Sequence, residues 1–193
     1  ISVSAFLLNR SSDLRFSDCG VQLGNTRAEI EALTNGTQML SLYSETDCET
    51  YRDVLYWLAQ TLACFATMGR DGTLYLRQYA DGRGTETADI DEYHRIEAGS
   101  FSDFVTEYSG VGYTDIKSQE YKYVSDGDDT KLTYNLGANP FLQYGTESTR
   151  KQMALNILHA LQNISYVPFR TAYLNTPAYD LGDIIVNEGG IGD

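Results

Sequence analysis

Residues 51–79 constrain the fold most, because there a helical period of apolar residues gives way, without a linker, to two strand-like runs around a tight turn. Thr50 and Asp53 stand at the spacing of a helix cap. Tyr51, Val54, Leu55, Leu58 and Leu62 recur on one helical face, which Trp57 widens. Full burial of one such leucine contributes about 2 kcal/mol, so the stripe can anchor a helix to a sheet. Phe65-Ala-Thr-Met68 then runs through Gly69-Arg-Asp-Gly72 into Thr73-Leu-Tyr-Leu-Arg77. Asp-Gly between two such runs predicts a hairpin, since the turn needs a positive φ that glycine adopts without strain.

The rest of the chain alternates short elements in the same way. Residues 1–8 have strand composition and 9–13 read as a polar turn region. Thr26 and Glu29 have capping-box spacing ahead of Ile30 and Leu33, and Asn35-Gly36 supplies a stop, which predicts a helix at 26–34. Residues 38–43 alternate as a brief strand. Residues 80–92 are a loop by their Gly, Thr and Asp content, and 101–108 fit a short helix or a strand equally. Residues 111–124 and 131–136 read as two tyrosine-bearing strands around a hairpin turn at 125–129. Asn139-Pro140 breaks the chain. A second amphipathic helix is predicted at 147–162, with Met153, Ala154, Ile157, Leu158 and Leu161 on one face and Glu147 near the positive end of the helix dipole. Strands follow at 166–174 and 184–186.

Charge and composition narrow the function classes. Fourteen basic against 27 acidic residues give a net charge of −13, and the longest basic cluster is Arg150-Lys151. Nucleic-acid binding needs a positive surface, so it is not expected, and adsorption to anionic membranes is disfavoured likewise. No apolar run approaches the roughly 20 residues of a membrane-spanning helix. Cys19, Cys48 and Cys64 form no CxxC pair, which fits reduced thiols made in a cytosol better than a disulfide scaffold. Tyrosine is the unusual residue, 15 against one Trp and seven Phe. Its apolar ring with a polar tip suits half-buried sheet faces first and protein interfaces second.

Reactive chemistry is not apparent. His94 and His159 belong to no HExxH or Cys/His spacing, and no GxSxG accompanies either. Asp126-Gly-Asp-Asp129 has carboxylates for a calcium ion without the ligand order of a calcium loop, so a solvated turn is the expectation. Asp89, Asp91 and Glu92 have no defined separation across a cleft, which a glycosidase pair requires. Gly110-Val-Gly112 and Gly189-Gly190 lack a phosphate-binding lysine and read as turns. The sequons at Asn35 and Asn163 carry meaning only in a eukaryotic secretory pathway. No catalytic, cofactor-binding or metal-binding residue is assigned, no cofactor is expected, and the chain is read as a non-enzyme.

The segment 50–79, TYRDVLYWLAQTLACFATMGRDGTLYLRQY, resembles a stretch of the minor structural, or tail-associated, proteins of long-tailed phages and prophages of Gram-positive bacteria. In that family a helix of the type RDVLxWxAxxxxxFA leads into a hairpin with an Arg-Asp-Gly turn. Asn139-Pro140-Phe-Leu, the helix at 152–161 and PAYDLGDII at 177–185 follow in the family's order, so the resemblance covers about residues 50–186. Residues 1–49 fit it poorly. The matched positions are structural: Trp57 and Leu58 as core anchors, Asp71-Gly72 as the turn, Gly182-Asp183 leading into a strand. The resemblance implies a tail-tip hub similar to the baseplate hub of contractile-tailed phages. Such a hub has mixed α/β lobes with barrel-like portions, forms a ring of three around the tail axis, joins the tail tube to the tip or fibre, and lets DNA pass. Its partners would be the distal tail protein, tail tube and fibre, in the virion tail, after synthesis in the bacterial cytoplasm. Family members often carry a C-terminal enzymatic extension, and no catalytic residue of one is carried over here.

The expectation is therefore an α+β chain with two main amphipathic helices, at about 50–63 and 147–162, and a helix-then-hairpin unit at 51–79. It would divide into an α/β lobe at 1–95 and a β-rich lobe with one helix at 96–193, as a piece of a longer protein. A carbohydrate- or receptor-binding module is the alternative, motivated by the tyrosines and the acidic loops 80–92 and 125–129. A cell-wall hydrolase is the third class.

Overall fold

A computed structural model describes residues 20–43, 48–79, 88–90, 95–101, 106–127, 131–166, 169–174, 181–183 and 185–187 of the chain. The architecture is α+β. In chain order the elements are β1 (Gln22–Leu23), α1 (Arg27–Ala32), α2 (Tyr51–Thr61), β2 (Cys64–Met68), β3 (Thr73–Gln78), β4 (Ala88–Ile90), β5 (Arg95–Phe101), β6 (Tyr108–Asp115), β7 (Glu120–Ser125) and β8 (Leu132–Asn135). A 3₁₀ turn (Pro140–Leu142), α3 (Glu147–Leu161), β9 (Phe169–Tyr173) and β10 (Ile185–Asn187) complete it. Among the described residues no helix is long and apolar enough to cross a membrane.

The helices begin where the caps predict. Thr26 and Glu29 form a reciprocal capping box, and Thr50 and Asp53 form another, with the Asp53 carboxylate accepting from the Thr50 N–H at 2.9 Å. Thr146 caps α3 through the Thr149 N–H. The hairpin stands as expected: β2 and β3 pair antiparallel with Met68 opposite Leu74, and Gly72 has φ +78°. All five residues of the expected α3 face are buried, and they pack on β6 and β7, where Val111, Tyr113 and Val124 are buried as well. Each such aliphatic side chain contributes about 1.5–3 kcal/mol on burial.

Several expectations are corrected. Residues 38–43 hold a single bridge at Met39 and no strand, because burial falls on Leu40 and Tyr43, three apart, while Met39 is exposed. Residues 111–124 are not one strand. The chain reverses at 116–119, where Asp115 Oδ1 accepts from the Lys117 and Ser118 N–H groups and Gln119 has φ +59°. Nor do the strands on either side of 125–129 pair as a hairpin, because β7 and β8 flank β6 on opposite sides and β8 runs parallel to it. Within 80–92, Ala88–Ile90 is a strand paired in parallel with Ile185–Asn187, so a distant partner overrides loop-like composition. The strand predicted at 1–8 and the turn at 9–13 lie outside the described residues.

The chain divides into two compact units. One unit joins residues 1–79 to 108–162, and the other joins 80–107 to 163–193. The first holds two mixed three-stranded sheets, β1-β3-β2 and β7-β6-β8, with α1, α2 and α3. The second holds the pairs β10-β4 and β5-β9, and a bridge between Thr106 and Tyr166.

Tyrosines and glycines are used together in the first unit. Gly110 and Gly112 on β6 lie beneath the rings of Tyr123 and Tyr121 on β7, and Gly24 lies beneath Tyr75; a Cβ at any of these glycines would collide with the ring. The rings restore the cover that a strand glycine lacks. Gly112→Ala is therefore expected to cost about 1 kcal/mol alone and to become neutral or stabilising with Tyr121→Ala, as a double-mutant cycle of urea unfolding would measure.

Candidate functional site

Helix α2 has two working faces. Val54, Leu58 and Thr61 are buried, together with Leu62 just beyond the helix. The neighbouring stripes at four-residue spacing, Tyr51-Leu55-Ala59 and Arg52-Tyr56-Gln60, instead wall a groove of about 850 Å³. Tyr51 and Leu55, expected in the core face with Val54 and Leu58, are thus half-buried and turned to this groove. Trp57, expected as a core anchor beside Leu58, is half-buried and meets Tyr56 edge-to-face at 5.0 Å, whereas Leu58 is fully buried.

The opposite walls come from the hairpin and from β8. Phe65, Ala66 and Met68 of β2 and Leu74 of β3 face Tyr134 and Asn135 of β8, with Tyr79 at one side. Phe65 and Tyr79 meet with tilted rings, 5.4 Å between centroids. Tyr56, Met68 and Tyr79 are exposed large side chains around the groove. Arg52 is the one charged side chain among the described lining residues.

Three lining groups are electrostatically distinctive. Gln60 Nε2 donates to the Tyr56 hydroxyl at 3.0 Å, while Gln60 Oε1 is buried without a hydrogen-bond partner. Cys64 is buried, and burial pushes its thiol up to about 12. Burial likewise raises the Tyr134 phenol, aided by the neighbouring tyrosines and Cys64. Cys64 is therefore expected to resist alkylation by iodoacetamide at pH 8 in the native chain and to react at the ordinary rate in urea, as intact-mass spectrometry would read. The described lining holds no histidine or carboxylate. Its walls offer shape, aromatic surface, one cation and one unpaired amide group.

The residues weighed from sequence are scattered. His159 is exposed on α3, and His94 lies outside the described residues. Asp126 is exposed after β7, while Asp128 and Asp129 lie outside the described residues; Asp89 stands in β4, with Asp91 and Glu92 outside. Gly110 and Gly112 are strand residues under tyrosine rings, not turns, and Gly189-Gly190 lies outside the described residues. Cys48 and Cys64 are free thiols. Among the described residues no group of three or more His, Cys, Asp or Glu could hold a metal ion. Asn35 is buried with its amide hydrogen-bonded to the Thr61 and Met153 carbonyls, so the folded chain does not present that sequon. The groove escaped sequence reading because helical periodicity cannot separate a stripe facing the core from one facing a cleft; the only signal was a stripe wider than one sheet contact needs.

No family model, curated protein or solved structure matches the chain.

Proposed function

We propose that this chain is a structural component of a phage or prophage tail tip, a hub-like module with barrel-like portions that joins the tail tube to the tip or fibre and forms part of the passage for DNA. One observation carries the reading: the ordered run of the helix–hairpin segment, Asn139-Pro140-Phe-Leu, the helix at 152–161 and PAYDLGDII at 177–185. The first three of these segments fall in one compact unit, where α2 touches β2, the 3₁₀ turn and α3. A shared packing role for the matched residues supports reading the pattern as one inherited module. On this reading the chain works as a trimer with other tail proteins as partners. Three chains of −13 would give the passage an acidic wall that repels DNA and keeps it from sticking; a neutral or basic inner wall would remove that idea.

The test is genetic and microscopic. A stop codon early in the gene, in a prophage that encodes this chain, should give non-infectious particles with defective tail tips, restored by supplying the chain in trans. Gold-labelled antibody against the chain should mark one end of the tail. Fully infectious particles from the mutant, or label absent from tails, would overturn the proposal.

A carbohydrate-binding module is the second reading, favoured by the exposure of Tyr121 and Tyr123 over their glycines. Binding on a glycan array that Tyr121→Ala and Tyr123→Ala abolish would favour it over the structural one.

A further inference from the structure

We infer that the groove beside α2 is a docking site for an extended segment of another protein that carries aliphatic side chains and one carboxylate. The composition points to a protein occupant: tyrosine, phenylalanine, methionine and arginine are enriched at the cores of protein interfaces while lysine, glutamate and aspartate are depleted, and the described lining follows that pattern. Its volume, about 850 Å³, suits a few side chains rather than a whole domain face.

The polar groups narrow the occupant further. Whichever way the Gln60 carboxamide is turned, one end pairs with the Tyr56 hydroxyl and the other is left buried without a partner. A peptide unit brings both an N–H and a C=O and satisfies either arrangement; a fatty-acid tail brings neither. Among the described lining residues Arg52 is the one cation, on a strongly acidic chain, so the complementary charge on the occupant is a carboxylate. Among the described strands β2 and β8 are outer strands of their sheets, and both reach this groove, so an extended backbone would find strand edges beside it. The inference rests on the groove and not on the tail-tip reading, and either can fail without the other.

The test uses the full chain and a defined probe: a library of acetylated, amidated heptapeptides of alternating aliphatic and polar residues, half carrying glutamate and half lysine at one fixed position. Fluorescence anisotropy should show binding by the glutamate half. Arg52 is exposed in the first turn of α2, where glutamate is favourable to the helix, so Arg52→Glu should fold and shift the preference toward the lysine half by about tenfold. Ala59→Trp, which fills the groove, should abolish binding of both halves. If that variant does not fold, a benzophenone-bearing glutamate peptide should still form adducts with Met68 of the unmodified chain. Absence of binding by both halves, a preference that Arg52→Glu leaves unmoved, or adducts away from the groove would overturn the inference. Self-association of the chain that Arg52→Glu abolishes would give the groove to a second copy and overturn the assignment to another protein.

Discussion

Arg150→Ala is expected to destabilise the first unit by about 3 kcal/mol in urea unfolding, because it strands a nearly buried carboxylate. The Arg150 guanidinium meets the Asp115 carboxylate at 3.1 Å, with the side chains 14% and 10% exposed, and its other arm donates to the Gln143 carbonyl at 3.2 Å. Removing one partner of a buried pair costs about 3–5 kcal/mol. The lower end applies because Asp115 keeps the Lys117 and Ser118 N–H groups of the turn it closes. An effect below about 1 kcal/mol would place the pair among ordinary surface ion pairs.

The same carboxylate gives a pH dependence of known sign. The Ser118 N–H, with help from the Lys117 N–H, Arg150 and Lys122, holds the Asp115 carboxyl below its ordinary value against the opposing effect of burial. A folded-state pKa below the unfolded one means that the unfolded chain binds the proton more readily, so the contribution is complete above about pH 4 and is lost as pH falls through the folded value. Asp115→Asn should be less stable near neutrality and should flatten the acid limb of the stability curve relative to the parent chain.

How much of this was legible depended on the range of the interaction that decides each feature. Capping boxes, the Asp-Gly turn and the α3 face are local patterns, and α2, the hairpin and α3 stand within a residue or two of the expected bounds. The break at 116–119 was also local, since Asp115 closes it with its own side chain, but without glycine or proline it passed for continuous strand. The parallel placement of β8, the strand at Ala88–Ile90 and the interleaved units depend on partners tens of residues away, and nothing in a local window encodes them. The groove is non-local in the same sense: α2 is legible as amphipathic, yet which stripe meets the core is set by the 3₁₀ turn and α3, which it touches. The functional proposal rests on the ordered family-like pattern and not on chemistry, because that pattern reads positions together rather than singly.

That placement of α2 depends on a buried amide, which supplies the other large expected effect. Asn139 is fully buried; its Oδ1 accepts from the Phe141 N–H at 2.9 Å, and its Nδ2 donates to the Trp57 carbonyl at 3.1 Å and the Thr61 hydroxyl at 3.2 Å. It thereby starts the 3₁₀ turn and pins the last turn of α2 to it. Asn139→Ala leaves the Phe141 N–H buried without its acceptor, removes a cap and opens a small void. At about 1–3 kcal/mol for the unsatisfied N–H and about 1 for the amide's lost bonds to α2, the cost should be about 3 kcal/mol. Asn35 anchors the same helix end through the Thr61 carbonyl, and Thr61 in turn donates to the Trp57 carbonyl. The losses in Asn35→Gly and Asn139→Ala should therefore be non-additive, whereas Asn139→Ala and Gly72→Ala, on separate elements, should add. Hydrogen exchange should quicken at the last turn of α2 and at the 3₁₀ turn while the β6–β7 ladder stays protected. Since α2 is one wall of the groove, Asn139→Ala should also weaken peptide docking without touching a lining residue, and unchanged affinity would mean that α2 is held there by the apolar face alone.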